Sequence, residues 1–325
     1  MSIENPKSNA LPTALRIEDV LHAVQASGYP LQTNIASQLK DTFAIHEEWC
    51  YVDDETDKLR TIDILAERYL ASVEHHFRVR PHLSLLIECK QSELPYVFFR
   101  GSAREMPRDF PVFAGLHKYD IDVKVQSGEG NATSELVSAM DLARHPFISQ
   151  PPKSCTAFSK LARKGKEVQM GELAVDNVEM SGTQAYANLM LPLLKSVHHY
   201  RKAVEPPNTA HYFDLRMVVA IGILDAPMLT FVIEGGVPSL VFAPWVRVLR
   251  HAYAAGELHQ RRRTYAVDMV HKDFFSPYVN QHLLPFAETF GKRAEEMHKI
   301  LASGKAYAKT LDDAFNGVIL ADKAP

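Results

Sequence analysis

The chain has 325 residues, 46% hydrophobic and 23% charged, an ordinary globular balance that excludes collagen, coiled coil and whole-chain disorder. It is long enough to bury a sizeable core without staples. Thirty-six Lys and Arg against 39 Asp and Glu leave a formal net charge of −3. No global field therefore steers the chain to nucleic acid or acidic membranes.

Three cysteines, Cys50, Cys89 and Cys155, are too few and too scattered for a disulfide framework or a zinc cage. The opening MSIENPKSNALP has no basic stretch followed by an apolar run, so no signal peptide is expected. The apolar stretch 217–233 is broken by Asp225 and Pro227, too interrupted to span a bilayer. The expectation is a cytoplasmic protein with no membrane partner. No G-x-S-x-G elbow and no Walker A loop occur, so no nucleotide or organic cofactor is expected.

Helical spacing of Leu15, Ile17, Val20, Leu21 and Val24 predicts a first helix, ended by Gly28. Leu31, Ile35, Leu39 and Phe43 predict a second. Three strands are then expected at about 46–52, 59–66 and 82–91, with the first hairpin turning at 53–57. Residues 67–80 read as a short helix or excursion, and 96–99 as a further strand. Residues 101–181 carry loop-like clusters and are expected to be an insertion with little regular structure. A helix over 182–203, kinked at Pro192, precedes strands at about 213–223, 228–233 and 264–270. A helix over 277–301 closes the fold. The resulting division is an N-terminal arm (1–30), one domain (31–302, core 31–100 and 182–275) and a flexible tail (303–325).

Chemistry concentrates on the third strand. Glu88 and Lys90 share one face of it, since side chains alternate along a strand. A carboxylate and an ammonium ending an apolar strand are costly to bury without a use. Asp63 lies in the same context, between Ile62 and Ile64. On neighbouring strands the three can meet. Asp63 and Glu88, with the Cys89 backbone carbonyl, would give a hard-oxygen set for Mg²⁺, with Mn²⁺ as an alternative. Lys90 would orient a water and stabilise charge on phosphorus. The implied reaction is metal-assisted hydrolysis of a phosphodiester.

The surrounding pattern is GYPLQ at 28–32, Tyr51, Asp53, Thr56 and Arg60, then Ile62-Asp63-Ile64 with Ala66, and IECK at 87–90. In this order residues 29–99 resemble the PD-(D/E)XK nuclease superfamily, in its Mrr-like, uncharacterised-endonuclease branch. The resemblance implies an α/β, restriction-endonuclease-like core: a central mixed sheet flanked by helices, with an inserted segment and a C-terminal helical extension. It implies a Mg²⁺-dependent endonuclease acting on DNA, in defence against foreign DNA or in DNA processing, with homodimerisation common among such enzymes. Catalytic roles fall on Asp63, Glu88 and Lys90, with Gln32, Gln91 and Arg60 as supporting candidates. Two positions depart from the pattern. Ile62 stands for the Pro that often precedes the Asp. Gln32 stands where related nucleases often carry a metal-site Glu; Glu47 and Glu48 are other carboxylates nearby, on which the reading does not rely.

Plainer readings stand beside each of these. Glu88 and Lys90 fit a solvated pair at a strand end, and Asp63 fits a backbone hydrogen-bond acceptor. Gln32, Gln91 and Arg60 fit an exposed helix residue, a polar edge and a surface arginine. The basic runs Lys160, Arg163, Lys164, Lys166 and Arg261, Arg262, Arg263 suit phosphate contacts or a solvated face. The alternative function is a catalytically inactive nucleic-acid-binding or partner-assembling protein on the same fold.

Overall fold

The fold is described from a computed structural model, for residues 4–70, 77–101, 110–126, 130–150, 152, 154–164, 178–253, 262–315 and 317–321. In chain order the strands are β1 (Ala44–Asp53), β2 (Lys58–Tyr69), β3 (Val79–Gln91), β4 (Tyr96–Phe99), β5 (Val112–Ala114), β6 (Asp120–Val125), β7 (Asn131–Glu135) and β8 (Ser154–Cys155). They continue as β9 (Ala157–Arg163), β10 (Val178–Ser181), β11 (Phe213–Asp225), β12 (Met228–Glu234), β13 (Val237–Phe242), β14 (Trp245–Tyr253), β15 (Arg262–His271) and β16 (Lys305–Ala308).

A large mixed sheet runs in the order β1-β2-β3-β11-β15-β14-β8, with β5 also paired to β11. The first three strands are an antiparallel meander. β3, β11 and β15 are parallel, so their C-terminal ends lie at one edge. A second sheet, β10-β9-β4-β12-β13, and a third, β16-β6-β7, complete the β-structure among the described residues. The class is α/β.

At its centre the large sheet is buried on both faces, which explains the near-continuous apolar runs of β3 and β11. On one face Leu83, Leu85, Ile87 and Cys89 join Leu31, Ile35 and Leu39 of the helix Tyr29–Leu39. Phe286 and Phe290 of the helix Leu284–Glu296 pack into the same cluster. On the other face Leu86, Val218 and Ala220 meet Leu189, Leu193 and Val197 of a helix over 182–203. That helix contains a π-helical turn at Tyr186–Met190, just before Pro192. A ring nitrogen that cannot donate accounts for the local irregularity expected there.

The hairpin β1–β2 is closed by the turn that its acidic residues predict. Asp53 accepts the Glu55 N–H through Oδ1 at 3.2 Å and the Thr56 hydroxyl through Oδ2 at 2.9 Å. The helix Ile17–Ala26 forms where expected but buries none of its residues. Of the helix or excursion expected over 67–80, residues 67–69 and 79–80 are instead strand, because β2 and β3 run longer than expected, and residues 71–76 lie outside the described residues.

Three further expectations are corrected. Residues 101–181 contain six strands, contributed to all three sheets. Within them Ile121, Val123 and Val125 of β6 alternate inward and are buried. The C-terminal helix is interrupted: a π-helical Tyr278–Leu283 leads into Leu284–Glu296 and then His298–Ser303. The tail is partly tied down, since β16 pairs in parallel with β6 and buries Ala306 and Ala308, and Leu311–Phe315 is helical. Among the described residues no helix is long and apolar enough to cross a membrane.

Candidate active site

The site forms where β2 parts from β3. The two strands pair from Tyr69–His82 to Ile64–Ile87. One step further the same register would set Asp63 opposite Glu88, and there the ladder stops. The Asp63 side chain takes over: its Oδ2 accepts the Cys89 N–H at 2.6 Å. A strand parting inside a buried sheet would otherwise strand that amide.

β1 bends at the same level. Glu47 pairs with Ile64 and Trp49 with Ile62, while Glu48 between them holds φ of 51°. The consequence is visible in the packing. Ile62 belongs to the cluster under the helix over 182–203, whereas Ile64 belongs to the opposite cluster. Regular alternation would put both on one face. The face reversal falls on Asp63, which the register sets opposite Glu48.

β3 stays regular. Leu86 faces the helix over 182–203, and Glu88 and Lys90 follow on that face. Glu88 is only 6% exposed. Lys90 Nζ donates to Glu88 Oε1, and Glu88 Oε2 is buried without a hydrogen-bond partner. Burial, reinforced by the Asp63 charge, pushes the Glu88 carboxyl up to about 7 against the pull of Lys90. Burial also raises Asp63, opposed by the Cys89 N–H and by Lys90, with Glu48 adding to the rise. For Lys90, burial works against the ammonium, but Glu88 and then Asp63 hold its pKa above the ordinary lysine value.

None of the three comparisons places this chain: no family model, no curated protein and no solved structure matches it.

The other candidates are distributed unevenly. Gln32, buried on the helix Tyr29–Leu39, donates through Nε2 to the Asp63 carbonyl oxygen at 3.1 Å. It is a polar contact between that helix and the site. Gln91 is exposed at the end of β3, in register with Asp225. Arg60 is joined to Asp53 at 2.6 Å, and Lys195 reaches the same Asp53 Oδ2 at 2.6 Å. That network ties the hairpin to the helix Leu191–Ala203. Tyr51 adds a second tie, donating its hydroxyl to the Pro192 carbonyl at 3.3 Å.

Of the two basic runs, the described side chains are those of Lys160, Arg163 and Lys164. Lys160 lies over the Tyr96 ring at 5.9 Å, Arg163 pairs with Glu93 at 3.2 Å, and Lys164 is exposed. Lys166 and Arg261 lie outside the described residues. Arg262 and Arg263 open β15, and nothing is described of their side chains.

Asp63 and Glu88 bring two carboxylates and a backbone segment together. Among the described residues no group of three or more His, Cys, Asp or Glu is placed to enclose a cation. The features that bear on a hard divalent ion are oxygen donors and one buried, partnerless carboxylate oxygen on Glu88. The sequence reading did not include the cleft beside this site, where Asp225 ends β11 and Lys272 follows the end of β15. The available signal was positional: ligands of open α/β sheets gather at the carboxyl ends of parallel strands.

Proposed function

We propose that the protein is a divalent-metal-dependent nuclease with a restriction-endonuclease-like core, hydrolysing DNA phosphodiester bonds. The observation that carries this reading is the meeting of Asp63 with the Glu88–Lys90 pair at the parting of β2 and β3. The sheet order supports it as well. A helix, an antiparallel meander, a helix on the opposite face and a parallel strand occur in the order that the resemblance implies.

The residues present fit a hard cation. Asp63 and Glu88 would hold Mg²⁺ with the Cys89 carbonyl oxygen, and the orphaned Glu88 Oε2 is the donor left waiting. Bound there, the ion would lower the pKa of a water and neutralise a phosphate oxygen. The chain supplies the remainder. Lys90 carries a fixed positive charge at the mouth of the site, suited to orient the attacking water and to stabilise charge on phosphorus. Asp63 anchors the Cys89 backbone, and Gln32 anchors Asp63 from behind. Both restrict the geometry before substrate arrives.

The second reading, an inactive nucleic-acid-binding protein, starts from Gln32 in place of Glu. The observed contact weighs against reading that residue as a loss. Gln32 donates to a carbonyl, which an ionised carboxylate could not do. The test is incubation of supercoiled, linear duplex and single-stranded DNA with the full chain in Mg²⁺ and in EDTA, with Asp63→Ala alongside. Cleavage confined to Mg²⁺ and lost in the variant is expected. Retention of DNA without turnover in any divalent ion favours the inactive reading.

A further inference from the structure

An open cleft of about 530 Å³ lies beside the candidate site. Its position follows from register. Lys90 pairs with Leu224 and Gln91 with Asp225, and the Ser92 N–H donates to the Asp225 carbonyl at 3.0 Å. The cleft therefore begins two residues beyond Lys90, about 7 Å along the strand. It also opens on the same face. Leu86, Leu224, Ala226 and Met228 all belong to the cluster under the helix over 182–203, the face that carries Glu88 and Lys90.

The lining is chemically specific. Met228, Pro244 and Ala226 supply an apolar floor, and Phe242 stands at the rim, 76% exposed. Asp225 and Lys272 form a 3.3 Å ion pair on the same rim. An apolar slot with an exposed aromatic ring and a few polar groups suits a flat heteroaromatic ring. It is a poor phosphate site, because its one described lysine is paired with a carboxylate. A base inside a duplex is stacked and paired and cannot enter.

We infer that this cleft receives the base of the nucleotide next to the phosphate that Lys90 faces, so that the preferred substrate is single-stranded DNA. The inference rests on the nuclease reading and narrows its substrate. Phe242 provides the stacking surface, and the near end of the cleft at Ser92 lies about one nucleotide step from Lys90 along the chain.

The test measures binding by fluorescence anisotropy of a labelled short oligothymidylate to the full chain in EDTA, where no cleavage occurs. Phe242→Ala should weaken binding about tenfold, the order that one stacked base is worth. Phe242→Trp should restore it, and a blunt duplex should bind both variants alike. An oligothymidylate with one abasic position should become insensitive to Phe242 when that position occupies the cleft. Equal affinity of wild type and Phe242→Ala for the intact single strand overturns the inference. Mg²⁺-dependent cleavage that needs Lys90 but not Phe242 overturns the cleft and leaves the nuclease reading standing. Phe242-dependent binding of the single strand with no cleavage in any divalent ion leaves a base-binding cleft standing and overturns the nuclease reading.

Discussion

The Asp63 carboxylate accepts the Cys89 amide hydrogen at 2.6 Å, at the level where β2 and β3 cease to pair. One side chain thus does two things. It satisfies a backbone donor that the parting strands would orphan, and it sets a negative charge beside Glu88.

That double role separates two substitutions. Asp63→Asn keeps an oxygen for the Cys89 N–H and should leave stability near wild type while abolishing cleavage. Asp63→Ala removes the acceptor and should cost about 1–3 kcal/mol besides. Urea unfolding of the two variants checks this, and equal stability of both would show that the Asp63–Cys89 contact is dispensable to the fold.

Glu88 makes stability depend on pH in an unusual direction. In the unfolded chain a glutamate ionises near 4.3. In the fold burial and the Asp63 charge push it up to about 7. Between those values the folded state holds a proton that the unfolded state has lost, so this group's contribution to stability falls as pH rises and then levels off above 7. Glu88→Gln lacks that slope. Its stability relative to wild type should rise by about 3 kcal/mol between pH 4 and pH 7. Denaturant midpoints across that range measure it, and parallel curves for the two proteins would place the Glu88 pKa at its ordinary value.

Asp53 behaves in the opposite sense. Lys195 first, with Arg60 and Thr56 helping against the cost of burial, holds its carboxyl well below the usual carboxylate range. Its contribution is therefore present above the unfolded pKa near 3.9 and is lost as pH falls below it. Asp53→Asn should lower the melting temperature at pH 7, and the gap should close on acidification. A gap as wide at pH 2 as at pH 7 would mean that packing rather than charge is lost.

Gly222 stands next to Glu88 in the register of β3 and β11. A Cβ there would lie 2.6 Å from Met269 Sδ and 3.0 Å from Leu189 Cδ1. The glycine lets the helix over 182–203 sit close to the sheet beside the site. Gly222→Ala should destabilise by about 1–3 kcal/mol through overpacking. Met269→Ala in the same chain should return part of that loss, a coupling that a double-mutant cycle reads directly. Additive effects would mean that the two residues do not compete for space.

The meander was legible in the sequence because its signals are local. β-branched runs, an acidic turn and apolar spacing define β1 to β3 to within three residues at each end. Charged residues inside apolar strands marked Asp63 and Glu88 for the same reason. The face reversal at Asp63 was not legible, because alternation assumes a regular strand and the break depends on the backbone of Glu48. Nor was the content of 101–181. β5 is three residues long and finds its partner about a hundred residues later in β11, where no short-range pattern points. Arg60 illustrates a third limit. Its place three residues before Asp63 gave no sign of its partner Asp53, seven residues earlier, which the antiparallel hairpin brings to it.

The most direct measurement is single-turnover cleavage of single-stranded DNA in Mg²⁺ by wild type and by Lys90→Ala, with unfolding curves showing that both are folded. Lys90 carries the charge meant for the transition state. The variant should bind DNA like wild type and lose cleavage by about a hundredfold or more. Cleavage at the wild-type rate by a folded Lys90→Ala protein would contradict it.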